Sequence, residues 1–528
     1  MSGHSTGVPL KRFSGQDAWD AIVVGSGIGG LTAAWLLGAK LGKRTLVLER
    51  HYTAGGFTHT FRRPGYEWDV GVHYVGQVSP RTSMGRMLAE VLGEGVAWAS
   101  MGDVYDTVVL GGRRYEYVAG REAWRARMIE YFPGERASID GYLAAVKAAV
   151  GASQLFWAEK VVPRAIAAIA GRAMRARFLA HARRTTREVL ESLTQDQELI
   201  AVLTAQWGDY GLPPARSSFG MHAILTGHYF GGGFYPVGGA RTMAAAVVPR
   251  IEGQGGAVLV DAEATGIVVE GGRAVGARTK DGRVFRAPLV ISDAGLATTL
   301  RLLPAETPGR GALERVLAGQ STSAAHICLY LGLRGSDAEL GLPRTNLWVY
   351  PGPDFEGALA RFAADPGADV PMAYISFPSA KDPSFVSRYA GRATIEVLTL
   401  GPYEWFERWA GTAWRRRGDD YEALKARLRD RLLEVLYREV PQARGRVEVA
   451  EVSTPLSTRH FANYARGEIY GLAHAPARFE ERALKPRTPV PGFWLTGQDV
   501  CTCGIGGAMA GGYLTASAIA GKPLFPRR

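Results

Sequence analysis

An apolar run that ends in spaced glycines constrains this chain more than any other feature. Ala21-Ile22-Val23-Val24 is followed by Gly25-Ser26-Gly27-Ile28-Gly29-Gly30, then a helical run, then Thr45-Leu46-Val47-Leu48 and the acid Glu49. The pattern reads as strand, GxGxxG turn, helix and second strand, with the acid 24 residues beyond Gly25. Each glycine has a mechanical reason. Gly25 permits a tight turn, Gly27 lets a diphosphate reach the backbone, and Gly30 allows the helix to pack close to the strand. The helix start turns free N–H groups toward phosphates, and Glu49 can hold ribose hydroxyls. The expected unit is a Rossmann-type dinucleotide site rather than a structural βα turn.

What lies beyond Glu49 narrows the dinucleotide to FAD. Gly55-Gly56 and His59-Thr60-Phe61 follow; a glycine loop there extends the phosphate contacts and turns the chain toward an isoalloxazine, with His59 against the cofactor. Near the other end, residues 492–499 read as a strand ending in the acid Asp499, and Gly504-Ile505-Gly506-Gly507-Ala508-Met509 as a glycine-rich helix start. A second helix N-terminus of this kind stabilises negative charge on a reduced flavin, and Asp499 can bond the ribityl chain. A plain NAD domain needs no such return. No second GxGxxG in strand context argues for direct NADPH binding.

With 528 residues the chain is long enough for two or three domains. Cys328, Cys501 and Cys503 cannot make a disulfide framework, and Cys501-Thr502-Cys503 is too tight for a CxxC site, so all three read as packing residues in a reducing compartment. No metal-binding pattern is present. Residues 1–20 are polar and lack a signal-peptide core. The uncharged stretches 21–39 and 504–521 approach the length of a membrane span, but both are glycine-dense and belong to the cofactor reading. The expected location is cytoplasmic.

Residues 237–295 carry strand patterns, with a hairpin signal at Asp281-Gly282. The blocks 78–236 and 300–485 are richer in helical periodicity and aromatics, and one clear helix is predicted from Asp420 to Val440, stopped by Pro441. The fold class is therefore α/β. An FAD-binding domain of residues 18–77, 237–299 and 486–528 carries an α+β substrate domain of residues 78–236 and 300–485. Net charge is +12, and residues 160–187 hold eight basic side chains (Lys160, Arg164, Arg172, Arg175, Arg177, Arg183, Arg184, Arg187) with no acid. Leu155-Phe156-Trp157 precede them. This basic amphipathic segment, about 155–187, fits a peripheral anchor on a membrane surface. A solvated helix face is the plainer alternative, and nucleic acid is not expected because no recognition fold accompanies the charge.

Several blocks resemble a known family. Leu48-Glu49-Arg50-His51, Trp68-Asp69-Val70-Gly71-Val72-His73-Tyr74, Gln206-Trp207-Gly208-Asp209-Tyr210-Gly211-Leu212-Pro213-Pro214, Gly227-His228-Tyr229-Phe230 and Gly467-Glu468-Ile469-Tyr470-Gly471 are similar to the phytoene desaturase and carotenoid isomerase group, and within it to retinol saturases. The resemblance spans residues 18–522. It implies a flavoenzyme that saturates, isomerises or desaturates conjugated polyenes. It carries cofactor roles to Gly25, Gly27, Gly29, Gly30, Glu49, Arg50, Gly55, Gly56, Asp499, Gly506, Gly507 and Met509. Ala264 stands where the group often has a valine whose backbone meets the adenine.

A polyene offers only its π-system, so hydride must exchange with flavin N5 while a proton moves at the neighbouring carbon. His73, Tyr74, His228 and Tyr229 are the candidate proton donors or polar guides. Rival readings are a flavin amine oxidase and a non-enzymatic prenyl-lipid escort protein of similar architecture. Nothing in the sequence names the electron donor.

Overall fold

The computed structural model describes residues 6–526, and of Arg164 the backbone alone. A parallel sheet of six strands forms one layer, in the order Val8–Pro9, Ala257–Val260, Thr45–Leu48, Ala21–Val24, Val290–Ser292 and Phe493–Leu495. Ala21–Val24, Thr45–Leu48, Val290–Ser292 and Phe493–Leu495 are buried throughout. That is why they read as unbroken apolar runs and not as alternations. Strand order reverses between Ala21–Val24 and Val290–Ser292, and the carboxyl ends of these strands open on the crevice where such sheets bind ligands.

The strand-rich stretch 237–295 splits between two sheets. Its first and last strands, Ala257–Val260 and Val290–Ser292, join the parallel layer. Only Ala264–Glu270, Arg273–Thr279 and Val284–Arg286 form the antiparallel meander, with Gly282 turning the hairpin at φ +88°.

A second sheet has the order Val447–Ser453, His326–Arg334, Arg392–Leu400, Ala373–Ser376, Asn346–Tyr350, Val104–Leu110 and Arg113–Val118. It draws strands from both halves of the chain, and its single parallel pairing joins Val104–Leu110 to Asn346–Tyr350. Helices Arg136–Glu159, Arg164–Ala182 and Phe219–Tyr229 cover one region of it. Helix Asp419–Glu439 packs elsewhere, burying Tyr421, Leu424, Leu428, Leu432, Val435 and Leu436, the stripe its periodicity predicts.

The basic segment folds differently from a uniform amphipathic face. Lys160 is internal: its Nζ donates to the Val500 carbonyl at 2.7 Å and to that of Leu484, and burial pulls its pKa down to about 7. Arg175 is buried and donates to the carbonyls of Phe479 (2.7 Å) and Glu480 (2.9 Å). Arg183 and Arg187 pair with Glu480 and Glu356. Phe156 packs in the core against Phe178 and does not face outward. Among the described side chains that face out are Leu155, Ile166 (49 % exposed) and Ile169 (88 % exposed), together with Arg172, Arg177, Arg183 and Arg184. Among the described residues, no helix is long and apolar enough to cross a membrane.

Leu432 is 1 % exposed at the centre of its helix stripe. Leu432→Ala is expected to cost about 2–5 kcal/mol, read as a lowered thermal midpoint; an unchanged midpoint would show that this helix is not part of the cooperative core.

Candidate active site

The GxGxxG turn and the C-terminal helix meet through glycine. A Cβ on Gly29 would lie 2.6 Å from Gly497 Cα, and one on Gly512 would lie 2.7 Å from the Gly29 carbonyl. Only glycine allows helices Ile28–Leu41 and Gly504–Ala520 to approach this closely, and their close approach brings both N-termini to one cavity of about 750 Å³.

The cavity begins at Gly25, Gly27 and Gly29, and passes Glu49, Arg50, Gly55, Gly56, His59 and Ala264. Gly25 has φ +101° and Gly55 φ +125°, so both turns need glycine. Glu49 is held open-handed toward the cavity: Oε2 accepts from Ser26 N–H (2.9 Å) and Ser26 Oγ (2.6 Å), while Oε1 accepts from His51 N–H (2.8 Å). Arg50 donates to the His460 carbonyl at 2.8 Å. Burial, then the neighbouring His51, lowers the pKa of His59 to about 4, so its ring is neutral, and Nδ1 bonds the Gly56 carbonyl. This channel, with a helix start at each end and glycines where a side chain would intrude, fits an extended flavin dinucleotide.

The C-terminal helix turns a different face to the cavity from the one expected. Gly504, Ile505 and Ala508 line it. Gly506 faces Met84, where a Cβ would lie 2.6 Å from the sulfur, and Gly507 lies against Thr502. Met509 is wholly buried in the core. Asp499 is a brace, with both oxygens engaged by backbone N–H groups, those of Leu296 (2.7 Å) and Leu472 (2.9 Å). Gly30 serves the packing of its helix against Gly25, as its place in the motif requires.

One group was missed by the sequence reading. Asp293 ends strand Val290–Ser292, and its Oδ2 sits 2.5 Å from where a Gly27 Cβ would be. Burial first, then the charges of Glu49 and Asp499, push its carboxyl up to about 8, against the opposing pull of the Gly30 and Gly27 N–H groups. The signal available was an acid closing an apolar strand beside the glycine turn.

The same cavity is also lined by an apolar and aromatic set, Trp348, Met372, Tyr374, Leu398, Leu400 and Tyr470. His73 and Asp209 also line this chamber. His73 Nδ1 lies 2.9 Å from Glu396 Oε2, off the line of a good hydrogen bond. Burial and Lys381 hold the His73 pKa down to about 3, and burial lifts Glu396 to about 8. Lys381 Nζ is bound inside by the carbonyl of His73 (2.7 Å), Asn346 Oδ1 (2.8 Å) and Ser376 Oγ (2.7 Å). Glu396 and Lys381 were also missed, although a charge between Ile395 and Val397 is a sequence signal of a buried polar cluster.

The other expected donors stand behind the wall. Tyr74 bonds Asp106 and Asp209, and Tyr229 stacks on its ring at 4.3 Å. His228 Nε2 accepts from the Gly76 N–H at 2.8 Å, so this imidazole fastens a turn and is not brought to the cavity. Among the described residues no cluster suited to a metal ion occurs.

Fold and cavity together define a Rossmann-type oxidoreductase with a flavin-shaped channel. Residues 23–91 match the model of the NAD(P)-binding Rossmann-like domain. The chain is 36 % identical over 531 residues to the all-trans-retinol 13,14-reductase of Homo sapiens, and 35 % identical over 525 residues to that of Danio rerio; each comparison covers 96 % of this chain and 86 % of the relative. A crystal structure of an oxidoreductase from Methanosarcina mazei shares the fold at TM-score 0.61 and 17 % identity, covering 95 % of this chain and all of the other. The chain belongs to the all-trans-retinol 13,14-reductase family and is an oxidoreductase, which sets aside the escort reading.

Two outcomes are expected of the channel. Gly27→Val drives a side chain into Asp293 and the phosphate path, so the purified protein should be colourless; a yellow Gly27→Val protein would remove this turn from the cofactor site. Asp293 keeps its proton at neutral pH and loses it as pH rises through about 8, placing a charge beside Gly27, where a diphosphate would lie. Flavin retention on dialysis should therefore fall above that pH in the parent and stay flat in Asp293→Asn. Equal retention profiles would contradict the role.

Proposed function

We propose that the protein is an FAD-dependent oxidoreductase acting on carbon–carbon double bonds of a conjugated polyene, a retinoid or carotenoid, by saturation or by cis–trans isomerisation. The observation that carries the reading is continuity: a dinucleotide channel opens without a break into an aromatic and aliphatic chamber. The chamber suits a long apolar substrate, and the relatives are all-trans-retinol 13,14-reductases.

Bound FAD would supply hydride exchange at N5. The chain supplies the rest. Gly25–Gly29 and Glu49 hold phosphate and ribose, and the N-terminus of helix Gly504–Ala520 stabilises negative charge on the ring. Trp348, Tyr374 and Tyr470 align the polyene and exclude water, and His73 stays neutral as a polar guide. The cofactor domain consists of residues 18–77, 237–299 and 486–528, and the substrate domain of residues 78–236 and 300–485, the last two residues of the former lying outside the described range.

A water-insoluble substrate calls for collection at a bilayer. Leu155, Ile166 and Ile169 are exposed beside Arg172 and Arg177, an apolar edge with cationic flanks that suits shallow insertion into anionic lipid, each charge adding roughly 1 kcal/mol.

The chemistry is tested anaerobically, with chemically reduced holoenzyme and retinol or a poly-cis carotenoid. Saturation gives a product two hydrogens heavier; isomerisation gives unchanged mass with shifted retention. Neither product from either substrate would contradict the assignment. For the membrane, an Ile166→Asp, Ile169→Asp double variant should no longer co-sediment with anionic vesicles, whereas an unchanged pellet would place the membrane contact elsewhere.

A further inference from the structure

Asp106 interrupts an apolar strand, Val104–Leu110, and is wholly buried. Its carboxyl receives three donors: Tyr74 Oη at 2.9 Å, Gln206 Nε2 at 2.7 Å and Asn346 Nδ2 at 2.9 Å. Asn346 in turn accepts from the Lys381 ammonium at 2.8 Å, so a buried cation reaches Asp106 through one amide. Asp209 shares the Tyr74 hydroxyl but has fewer partners. Among the described residues the sole hydrogen-bond partner of its carboxyl is Tyr74 Oη, at 2.7 Å from Oδ2, and it is the one member of this chain that lines the substrate chamber.

The phenol has one proton and two carboxyls within reach. It can donate to only one of them, so the other must donate to it or stand unpaired. Burial raises the Asp106 carboxyl to about 6, but the amide donors of Gln206 and Asn346, which are independent of the phenol, and the nearby cation favour the ionised form there rather than at Asp209. The remaining proton therefore belongs to Asp209, which hydrogen-bonds the Tyr74 oxygen. Burial, with the charge on Asp106, pushes the Asp209 carboxyl well above the ordinary range in the same direction. The neighbouring Tyr229, Tyr374, Tyr470 and Cys503 are raised by burial and bring no competing charge.

Position adds a second argument. Cys503 Sγ contacts the Asp209 carbonyl at 3.5 Å, and Cys503 immediately precedes helix Gly504–Ala520. The acid thus stands beside the helix start that faces the flavin, on the chamber side.

We propose that Asp209 is the catalytic acid that protonates the polyene, with Tyr74 and Asp106 as its positioning residues. The inference rests on the function proposed above. Bound reduced flavin would supply a hydride to one carbon of the double bond. The π pair forms a C–H bond at the neighbouring carbon with the proton of Asp209, whose O–H bond breaks. Two C–H bonds replace the π bond, the flavin is oxidised, and Asp209 is left ionised. The Tyr74 hydroxyl then turns from Asp106 to the new carboxylate, until water admitted after the product leaves returns the proton.

The test has two readouts. In the infrared spectrum of the purified holoprotein at neutral pH, Asp209→Asn should remove a protonated carboxylic C=O band. Loss of a carboxylate band instead would overturn the assignment. In turnover, Asp209→Asn should lower kcat by about 10²-fold with KM and flavin content unchanged, and Asp209→Glu should recover part of it. Full kcat in Asp209→Asn would overturn the role. If Asp209→Asn does not fold, Tyr74→Phe carries the spectroscopic test, because losing its hydroxyl must shift the same band; an unmoved band overturns the assignment. A parent that converts no polyene would fail the functional reading, and the infrared band alone would then decide where the proton resides.

Discussion

The contact between two glycine-faced helices is the constraint on which the rest of this molecule depends. Helix Ile28–Leu41 follows strand Ala21–Val24 near one end of the chain, and helix Gly504–Ala520 lies near the other. They touch through Gly29 and Gly512, with Gly497 of the preceding turn against Gly29, and a single added methyl has no room there. Dispersion at such a contact is modest per atom, but the geometry it enforces is strict. Both N-termini are aimed at one space. A cofactor that places phosphates on one helix and an electron-accepting ring on the other is the ligand this geometry suits.

The second sheet solves a different problem. A chamber for an apolar substrate must be dry, yet the chemistry on a double bond needs a proton. Charged groups in such a place cost several kcal/mol unless paired. Here Asn346 links the cation Lys381 to Asp106, and the Tyr74 hydroxyl connects Asp106 to Asp209. The arrangement keeps protons on carboxyls that water would strip, which is the condition a buried acid must meet. The cofactor end follows the same rule at Asp293, where an acid beside the phosphate path stays neutral by burial.

Much of this was legible in the chain because it follows local rules. The glycine turn, Glu49, the hairpin at Gly282 and the stripe from Tyr421 to Leu436 are set by spacing of 2 to 24 residues, which a sequence displays directly. What was not legible depends on long-range packing. Helical periodicity does not say that Gly504 and Ala508, rather than Gly506 and Met509, turn toward the cavity. That face is chosen by Met84 and Thr502 on other parts of the chain. Nor could the charge count of residues 160–187 reveal that Lys160 and Arg175 point inward to cap carbonyls. Tyr74 and His228 share the residue types of a catalytic pair, but only the fold places one behind Asp209 and the other beneath a turn. The inward acids Asp106, Glu396 and Asp293 each sit in or beside an apolar strand, a pattern readable in advance as buried polar chemistry.

One extended flavin should join the two ends of the chain and present its ring to the chamber wall at Asp209. A crystal structure of the flavin-loaded protein tests it most directly. The diphosphate should lie on Gly25–Gly29 with the ribose at Glu49, and the ring should lie against the Gly504 helix start with Asp209 across the chamber. A dinucleotide bound elsewhere, or a ring screened from Asp209 by protein, would contradict it.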